Sequence, residues 1–357
     1  MRGSRPRHPT LLLALLLGIA LPAHAIQAPP PESEAARRPS RLFRDDATLV
    51  LTLAADFRDV FRDRDTTIVH RKPATLAFAG DSGQMILPVE LATRGHFRLK
   101  PSSCEFPPLR VFFDKQTTKG TPFGGDGSLK LITHCGKAPR YEQNVLVEHG
   151  VYRAYNRLTP LSHRSRLARI TYLDTRDSSR TITRYGFFLE DDDDVARRNG
   201  GKILSMVGGD LDEMDPSQLD LVTVFQYLIG NTDWSVLMIH NIRLVQVEGH
   251  PYFLPVAYDF DWSGVVNASY ARPDARLGTR TVRDRVYRGA CRPMDDLGPA
   301  LARIMERRDS IRDAFATLPD LDPKRRDDLL HYLDEGFRII GRPQDFKQEQ
   351  GHACSRG

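Results

Sequence analysis

From about residue 45 to 135 the apolar positions recur mostly with a period of two. Thr48 to Leu53, Ala74 to Phe78, Met85 to Leu91, Phe97 to Leu99, Leu109 to Phe113 and Leu129 to Thr133 alternate or run apolar between Gly, Pro and Asp breaks. That pattern predicts a β-rich N-terminal half. The spacing turns helical over 142–158, where Val145, Val147, Val151, Tyr152 and Tyr155 share a broad face. Strand signals return at Leu167 to Leu173 and Thr181 to Leu189. A second helix is expected after Asp215-Pro216, a cap followed by a first-turn proline. Its Leu219, Leu221, Val222, Val224, Phe225, Tyr227, Leu228 and Ile229 cover every side, which predicts burial all round. Gly230-Asn231 ends it.

Two β-type runs follow, Ile242 to Val247 and Tyr252 to Val256, with Glu248-Gly249-His250-Pro251 as the turn between them. They predict a hairpin. Residues 265–293 read as an Arg-rich loop, and about 295–340 as helical.

The N-terminus reads as a secretion leader. Arg2, Arg5 and Arg7 precede an apolar run from Leu11 to Leu21 and the small-residue site Ala23-His24-Ala25, so cleavage is expected after Ala25 and the mature chain is expected in the periplasm or outside the cell. Residues 26–40, with Pro29, Pro30, Pro31 and Pro39, read as a disordered linker. No later segment is apolar enough to span a bilayer. The division expected is a β-rich part with one helix over 41–190 and a mainly helical part, carrying the hairpin, over 191–357.

Composition adds two constraints. Four cysteines (Cys104, Cys135, Cys291, Cys354) lie far apart with no CxxC pair. In an oxidising compartment they suggest two disulfides, most simply Cys104–Cys135 and Cys291–Cys354. The formal charge of +5 comes from arginines scattered among aspartates. No basic stripe with interleaved aromatics marks a nucleic-acid partner.

The chemistry concentrates around the hairpin. Centred on Gly249, it sets Asn241 roughly opposite Asp259, within a cross-strand pair's reach of about 5 Å. Asp259 and Asp261 point to one side of their strand, and Asp233 lies in the loop just before. An amide oxygen and one or two carboxylates brought together this way suit Mg²⁺ or Mn²⁺ and, through the metal, a nucleotide phosphate. Asp233 is placed to align or deprotonate an attacking hydroxyl, though a turn aspartate would also sit there for local hydrogen bonding. Lys130 follows a loop containing Gly120, Gly124, Gly125 and Gly127. Glu148 on the next helix is placed to hold that lysine toward phosphates, and Lys100 is a competing phosphate-binding cation. The run Glu190 to Asp194 reads as acidic residues complementing a helix N-terminus. GxSxG, HExxH, P-loop and Rossmann signatures are absent.

The order Arg94-Gly95 with Arg98 and Lys100, then Lys130, Glu148, Tyr185-Gly186-Phe187-Phe188-Leu189-Glu190, Gly230-Asn231-Thr232-Asp233, Asn241 and Tyr258-Asp259-Phe260-Asp261 resembles the spore-coat CotH family of atypical secreted protein kinases. The resemblance implies an α+β, two-lobed protein-kinase-like fold with a β-rich N-lobe and a mainly helical C-lobe. It implies Asp233 as catalytic carboxylate, and Asn241 and Asp259 as metal ligands with Asp261 the second carboxylate candidate. It places Lys130, held by Glu148, on the phosphates, and the Phe188-Leu189-Glu190 backbone on the adenine. The function expected is phosphate transfer from ATP or another nucleotide to a protein or small hydroxyl acceptor. Two alternatives stand beside it: a non-catalytic, pseudokinase-like envelope binding protein, and a DxD glycosyltransferase, which would need a Rossmann-like half.

Overall fold

A computed structural model describes residues 38–65, 68–80, 83–205 and 208–354. The leader, and the linker up to residue 37, lie outside the described residues.

The N-terminal half carries β1 (Leu49–Ala55), helix α1 (Phe57–Arg62), β2 (Lys72–Gly80), β3 (Gly83–Thr93), β4 (Leu109–Phe113) and β5 (Ser128–Ile132). Helix α2 (Pro139–Asn156), β6 (Ser165–Asp174) and β7 (Ile182–Leu189) complete it. Strands β1 to β5 pair antiparallel in chain order, β7 joins β5, and β6 joins β7. The sheet then closes on itself, because β1 pairs in parallel with β6 from Leu49↔Ala168 to Ala55↔Asp174. Alternating residues such as Leu51, Leu53, Leu76, Leu91, Val111 and Leu131 fill the interior with almost no exposure, as a seven-stranded barrel of this size requires.

This closed barrel overturns the expectation of a two-lobed protein-kinase-like fold. Period-two patterning specifies strands and their buried faces. It does not say which strand an edge will meet 119 residues later, the offset between Leu49 and Ala168. The Rossmann-like half needed by a DxD glycosyltransferase is also excluded, since all pairings in the barrel but β1–β6 are antiparallel. A smaller correction falls at Phe97 to Leu99, expected as a strand and found as a single 3₁₀ turn.

Helix α3 (Asp192–Arg198) and β8 (Gly201–Leu204) follow the barrel. Helix α4 (Pro216–Leu228) starts as the sequence suggests, with Asp215 capping the Gln218 N–H through its side chain, and residues 218–228 are all buried. Gly230 leaves it at φ +64°, and a Cβ there would collide with the Tyr332 hydroxyl, so only glycine fits. Strands β9 (Ile242–Val247) and β10 (Leu254–Ala257) form the expected hairpin, extended by β8 into a three-stranded sheet. Helices α5 (Met294–Glu306), α6 (Arg308–Ala316), α7 (Pro323–Ile340) and α8 (Pro343–Cys354) pack with α2 and α4 into one large core.

Disulfides join Cys104 to Cys135 and Cys291 to Cys354, which fits an oxidising compartment outside the cytoplasm. Among the described residues, no helix is long and apolar enough to cross a membrane.

Candidate functional site

The loop after α4 is built outward from its buried end. Asn231, almost fully buried, donates through its amide to the Gln226 side chain (3.0 Å) and accepts the Asp233 N–H (3.0 Å). The backbone of Asp233 is therefore fixed to the helix, while its carboxylate stays one-third exposed. Oδ1 meets His240 Nε2 at 3.0 Å, and Oδ2 accepts from Asn241 Nδ2 at 3.0 Å. The Asn241 amide also donates to the Asp233 carbonyl (2.7 Å), so both its N–H groups are spent on one residue and its Oδ1 is left to face elsewhere.

The hairpin register differs by one from the expectation. Ala257 pairs with Ile242, so Asn241 sits opposite Tyr258, whose N–H it accepts at 3.1 Å, with Asp259 one residue on. Asn241 and Asp259 both adopt left-handed backbone, φ +53° and +60°. Such conformations cost about 1 kcal/mol or more for a side-chain-bearing residue, and two of them at the open end of one hairpin mark a place where placement overrides local comfort. The Asp259 N–H donates to the buried Tyr152 hydroxyl at 2.9 Å, which holds the strained turn on α2.

Arg98 occupies the centre of the carboxyl groups. Its guanidinium lies 3.5 Å from Asp261, 3.7 Å from Asp259 and 3.9 Å from Glu148, and it is itself buried. Gly95, at φ +99°, lets the chain leave β3 and dip inward so that Arg98 reaches this point. Phe97 pins the turn by packing edge-on against Trp262 and tilted against Tyr270. All three charge pairs are longer than hydrogen-bonded ion pairs, so compensation is loose. Burial pushes the Glu148 carboxyl well above its ordinary range; Arg98 opposes the shift, and Asp261 and Asp259 reinforce it. Burial likewise raises Asp261 to about 6, against Arg98, with Asp259 adding to the rise and the Tyr270 hydroxyl donating to it at 2.9 Å. Glu148 Oε1 has no hydrogen-bond partner among the described residues.

Lys130 and Glu148 are therefore not a pair. Lys130 Nζ binds Asp192 at 2.6 Å, and Glu148 faces Arg98. Asp192 is a hub, also taking His163 Nε2 at 3.0 Å and Arg243 Nε at 2.8 Å; although its burial opposes this, the His163 and Lys130 contacts hold its carboxyl far below the usual range. Arg243 stacks on the Tyr258 ring (4.3 Å), and Lys130 lies 5.9 Å from the same ring, so this cationic group abuts Asp259 through one residue. Lys130 also lines a cavity of about 300 Å³ together with Arg94, Arg110, His70 and His96, and with the carboxylates Asp63 and Asp65. Among the described residues Arg94 makes no ion pair, while Arg110 reaches only Asp191, at 3.3 Å, and its buried Nε is unpartnered. Burial lowers the pKa of Arg94, partly offset by Asp259.

The remaining candidates lie apart. Lys100 is exposed; its N–H closes the 3₁₀ turn on Phe97 and its carbonyl accepts from Ser103 and Cys104. Phe188 and Leu189 are paired on both sides, by β5 and β6, and the Phe188 ring is buried in the barrel core. Glu190 is fully buried, bound by Arg198 at 2.9 and 3.1 Å and by the Arg164 N–H at 2.9 Å. Its backbone N–H is likewise taken, by the Arg164 carbonyl. The Phe188 to Glu190 segment thus serves the barrel and the α3 junction rather than presenting free backbone groups to an adenine. The glycines at 120, 124, 125 and 127 do not line the cationic cavity. That loop is anchored by Phe123, which is buried against Phe78, Phe113 and Phe188.

Arg98, Arg94, Asp192 and Arg243 were not legible as site residues from the hydrophobic pattern. Arg98 sits inside an apparent strand, and Asp192 inside an acidic run where nothing singles it out.

Among the described residues no three His, Cys, Asp or Glu side chains form a metal-binding group. A divalent cation would therefore draw on Asp259, Asp261 and the free Asn241 oxygen, and complete its shell from phosphate and water, as Mg²⁺ commonly does. Arg98 already occupies the space such an ion would share, so the fit is limited to the surrounding carboxyl groups. Three carboxyl groups face one guanidinium, two of them are raised by uncompensated burial, and a buried carboxylate oxygen is orphaned.

No protein-family model matches the chain, and no curated protein matches it.

Proposed function

We propose that this protein is an exported, metal-dependent phosphotransferase that moves the terminal phosphoryl group of ATP or another nucleoside triphosphate to a hydroxyl acceptor. One observation carries the reading. An anionic cluster with a carboxylate at its edge (Asp233, Asn241, Asp259, Asp261) lies near a cavity whose lining brings Arg94, Arg110 and Lys130 together with Asp63 and Asp65. Phosphoryl transfer needs that adjacency, because catalysis rests on positioning and on neutralising spread negative charge.

In this reading Arg94 and Arg110 contact phosphate oxygens beside Lys130, which Asp192 holds, and Asn241, Asp259 and Asp261 would hold Mg²⁺ or Mn²⁺. The ion, when bound, supplies neutralisation of the phosphate charge. Asp233, oriented by His240 and Asn241, accepts the hydrogen bond of the acceptor hydroxyl and aims its oxygen. The motif order shared with the CotH family supports the same roles for Asp233, Asn241 and Asp259, and we propose a relationship in chemistry on a different N-terminal architecture.

A second reading, a nucleotide-binding protein without turnover, is favoured by Arg98, which already fills the space between the carboxylates, and by Lys130, which is held by Asp192. A thermal shift with ATP and Mn²⁺ followed by a transfer assay separates the two. At about 100 times Kd, binding adds about 3 kcal/mol to stability. Asp259→Asn should abolish the metal-dependent part. Asp233→Asn should keep the shift and lose transfer. A wild-type shift without transfer to any hydroxyl would leave the binding reading, and no shift with any nucleotide would overturn both.

A further inference from the structure

Beside Asp233 lies a second, larger cavity of about 730 Å³, distinct from the cationic cradle. Asp233, His240 and Asp274 line it together with Arg272, Arg276 and Arg288, and Trp262 and Met238 contribute apolar surface. The arginines come from the segment that the sequence marks only as an Arg-rich loop.

Their partners show which charges are free to act. Arg276 is neutralised by a two-pronged pair with Asp274, at 2.8 and 3.0 Å. Arg272 instead donates to the carbonyls of Ser269 (2.9 Å) and Ala271 (3.0 Å), and Arg288 to the carbonyl of Thr232. Among the described residues neither forms a close ion pair, although Asp274 and Asp233 lie near enough to Arg288 to act on its charge. Carbonyl bonds fix a guanidinium in place without cancelling its charge, and they leave donors of its fork unused. The Thr232 bond joins Arg288 to the residue preceding Asp233. Met238, three-quarters exposed, and the neighbouring exposed Leu237 add an adaptable apolar margin.

We propose that this cavity binds the phosphate acceptor and that the acceptor is an acidic peptide. A serine or threonine hydroxyl lies at Asp233, and neighbouring Asp or Glu side chains pair with Arg272 and Arg288. The inference rests on the phosphotransfer reading above and names its substrate class. In the step, the hydroxyl oxygen forms a bond to the terminal phosphorus of the nucleoside triphosphate. The bond from that phosphorus to the bridging oxygen breaks, the nucleoside diphosphate leaves with the electron pair, and the hydroxyl proton passes to Asp233 and on to water.

Two experiments on the mature full chain test it. In the first, labelled peptides with alanine in place of the acceptor serine, flanked by Asp/Glu or by Lys/Arg, are titrated by fluorescence anisotropy, a readout independent of nucleotide and of transfer. The acidic peptide should bind at least about tenfold more tightly, as two rim charge pairs of about 0.7 kcal/mol each would give. In the second, serine peptides of the same two kinds compete for label from γ-labelled ATP with Mn²⁺, in the wild type and in Arg272→Glu and Arg288→Glu. The preference should fall in each variant and turn toward the basic peptide in the double variant, a reversal that a merely destabilised protein would not produce. Equal binding of both peptides, or a preference unchanged by charge reversal, overturns the acceptor assignment even where nucleotide binds and is turned over. Selective binding of the acidic peptide with no nucleotide-dependent shift would instead overturn the phosphotransfer reading and leave an acidic-peptide site.

Discussion

Replacing Arg98 by methionine tests the electrostatics of the site most directly, because the side chain keeps much of its length and loses its charge. At 3.5 Å and an effective dielectric of about 20, the attraction to Asp261 alone is about 5 kcal/mol before desolvation is counted. Part of that is returned, since the guanidinium no longer has to be buried. Removal of one partner from a buried charged group costs about 3–5 kcal/mol on balance, and that is the loss expected at pH 8. The pH dependence follows from the raised carboxyls. A carboxyl whose folded-state pKa lies above its unfolded value is penalised only when ionised, so its cost grows as pH rises from the ordinary carboxyl range through the folded value. Asp261 sits at about 6 and Glu148 well above its ordinary range, both with Arg98 opposing the rise. Without Arg98 both move further up. The variant should therefore lose most of its stability between pH 6 and 8, and at pH 5, where the carboxyls hold protons, the deficit should shrink to less than about 2 kcal/mol. Urea unfolding followed by tryptophan fluorescence at pH 5, 6.5 and 8 measures it, and Mn²⁺ should restore part of the loss at pH 8. An equal deficit at all three pH values would refute the reasoning and reduce Arg98 to a packing role in the 97–99 turn.

Three further outcomes follow from the same kind of accounting. Burial and the nearby Asp194 raise Asp126 to about 7, and its Oδ2 has no hydrogen-bond partner among the described residues; Asp126→Asn should stabilise the protein by about 2–4 kcal/mol at pH 8 and by nothing at pH 4, read from paired denaturation curves. Asp192→Asn removes the carboxylate charge shared by Lys130, His163 and Arg243 and should cost about 3–5 kcal/mol at pH 7, with a smaller loss in a variant that also carries Lys130→Met. The Cys291–Cys354 bond closes a loop with a sequence separation of 63; converting both cysteines to serine should cost about 4 kcal/mol by the chain-entropy relation, and calorimetry should show no second loss when reductant is added to a variant that also lacks Cys104–Cys135.

The parts of the fold that were legible in the sequence are those set by local chemistry. Asp215-Pro216 announces the start of α4 because a capping carboxylate and a proline suit only a first turn, and apolar residues on all sides announce its burial. The hairpin was legible because two β-type runs flank a turn carrying Gly249, at φ +76°. The barrel was not, because closure depends on the pairing of β1 with β6, and any apolar strand of matching length satisfies the same pattern.

The site divides along the same line. Asp233, Asn241 and Asp259 stood out because their places on a loop and hairpin follow from sequence distance, and even a register error of one residue left them neighbours. The cations did not follow. Lys130 was expected to meet Glu148, since a strand residue and the following helix commonly face each other. The structure instead gives each a partner from a distant segment: Asp192 after the barrel for Lys130, and Arg98 from the β3–β4 connection for Glu148. A charge buried by folding takes the partner that the tertiary contacts deliver, and any local rule for pairing is overridden. The consequence is chemical as well as structural. With Lys130 spent on Asp192, the cations left with the least compensation are Arg94 and Arg110 at one cavity and Arg272 and Arg288 at the other. Carboxylates act on both groups, Asp259 on Arg94 and Asp274, then Asp233, on Arg288. Under the proposed phosphotransfer, Arg94 and Arg110 would meet the donor phosphate and Arg272 and Arg288 the anionic acceptor.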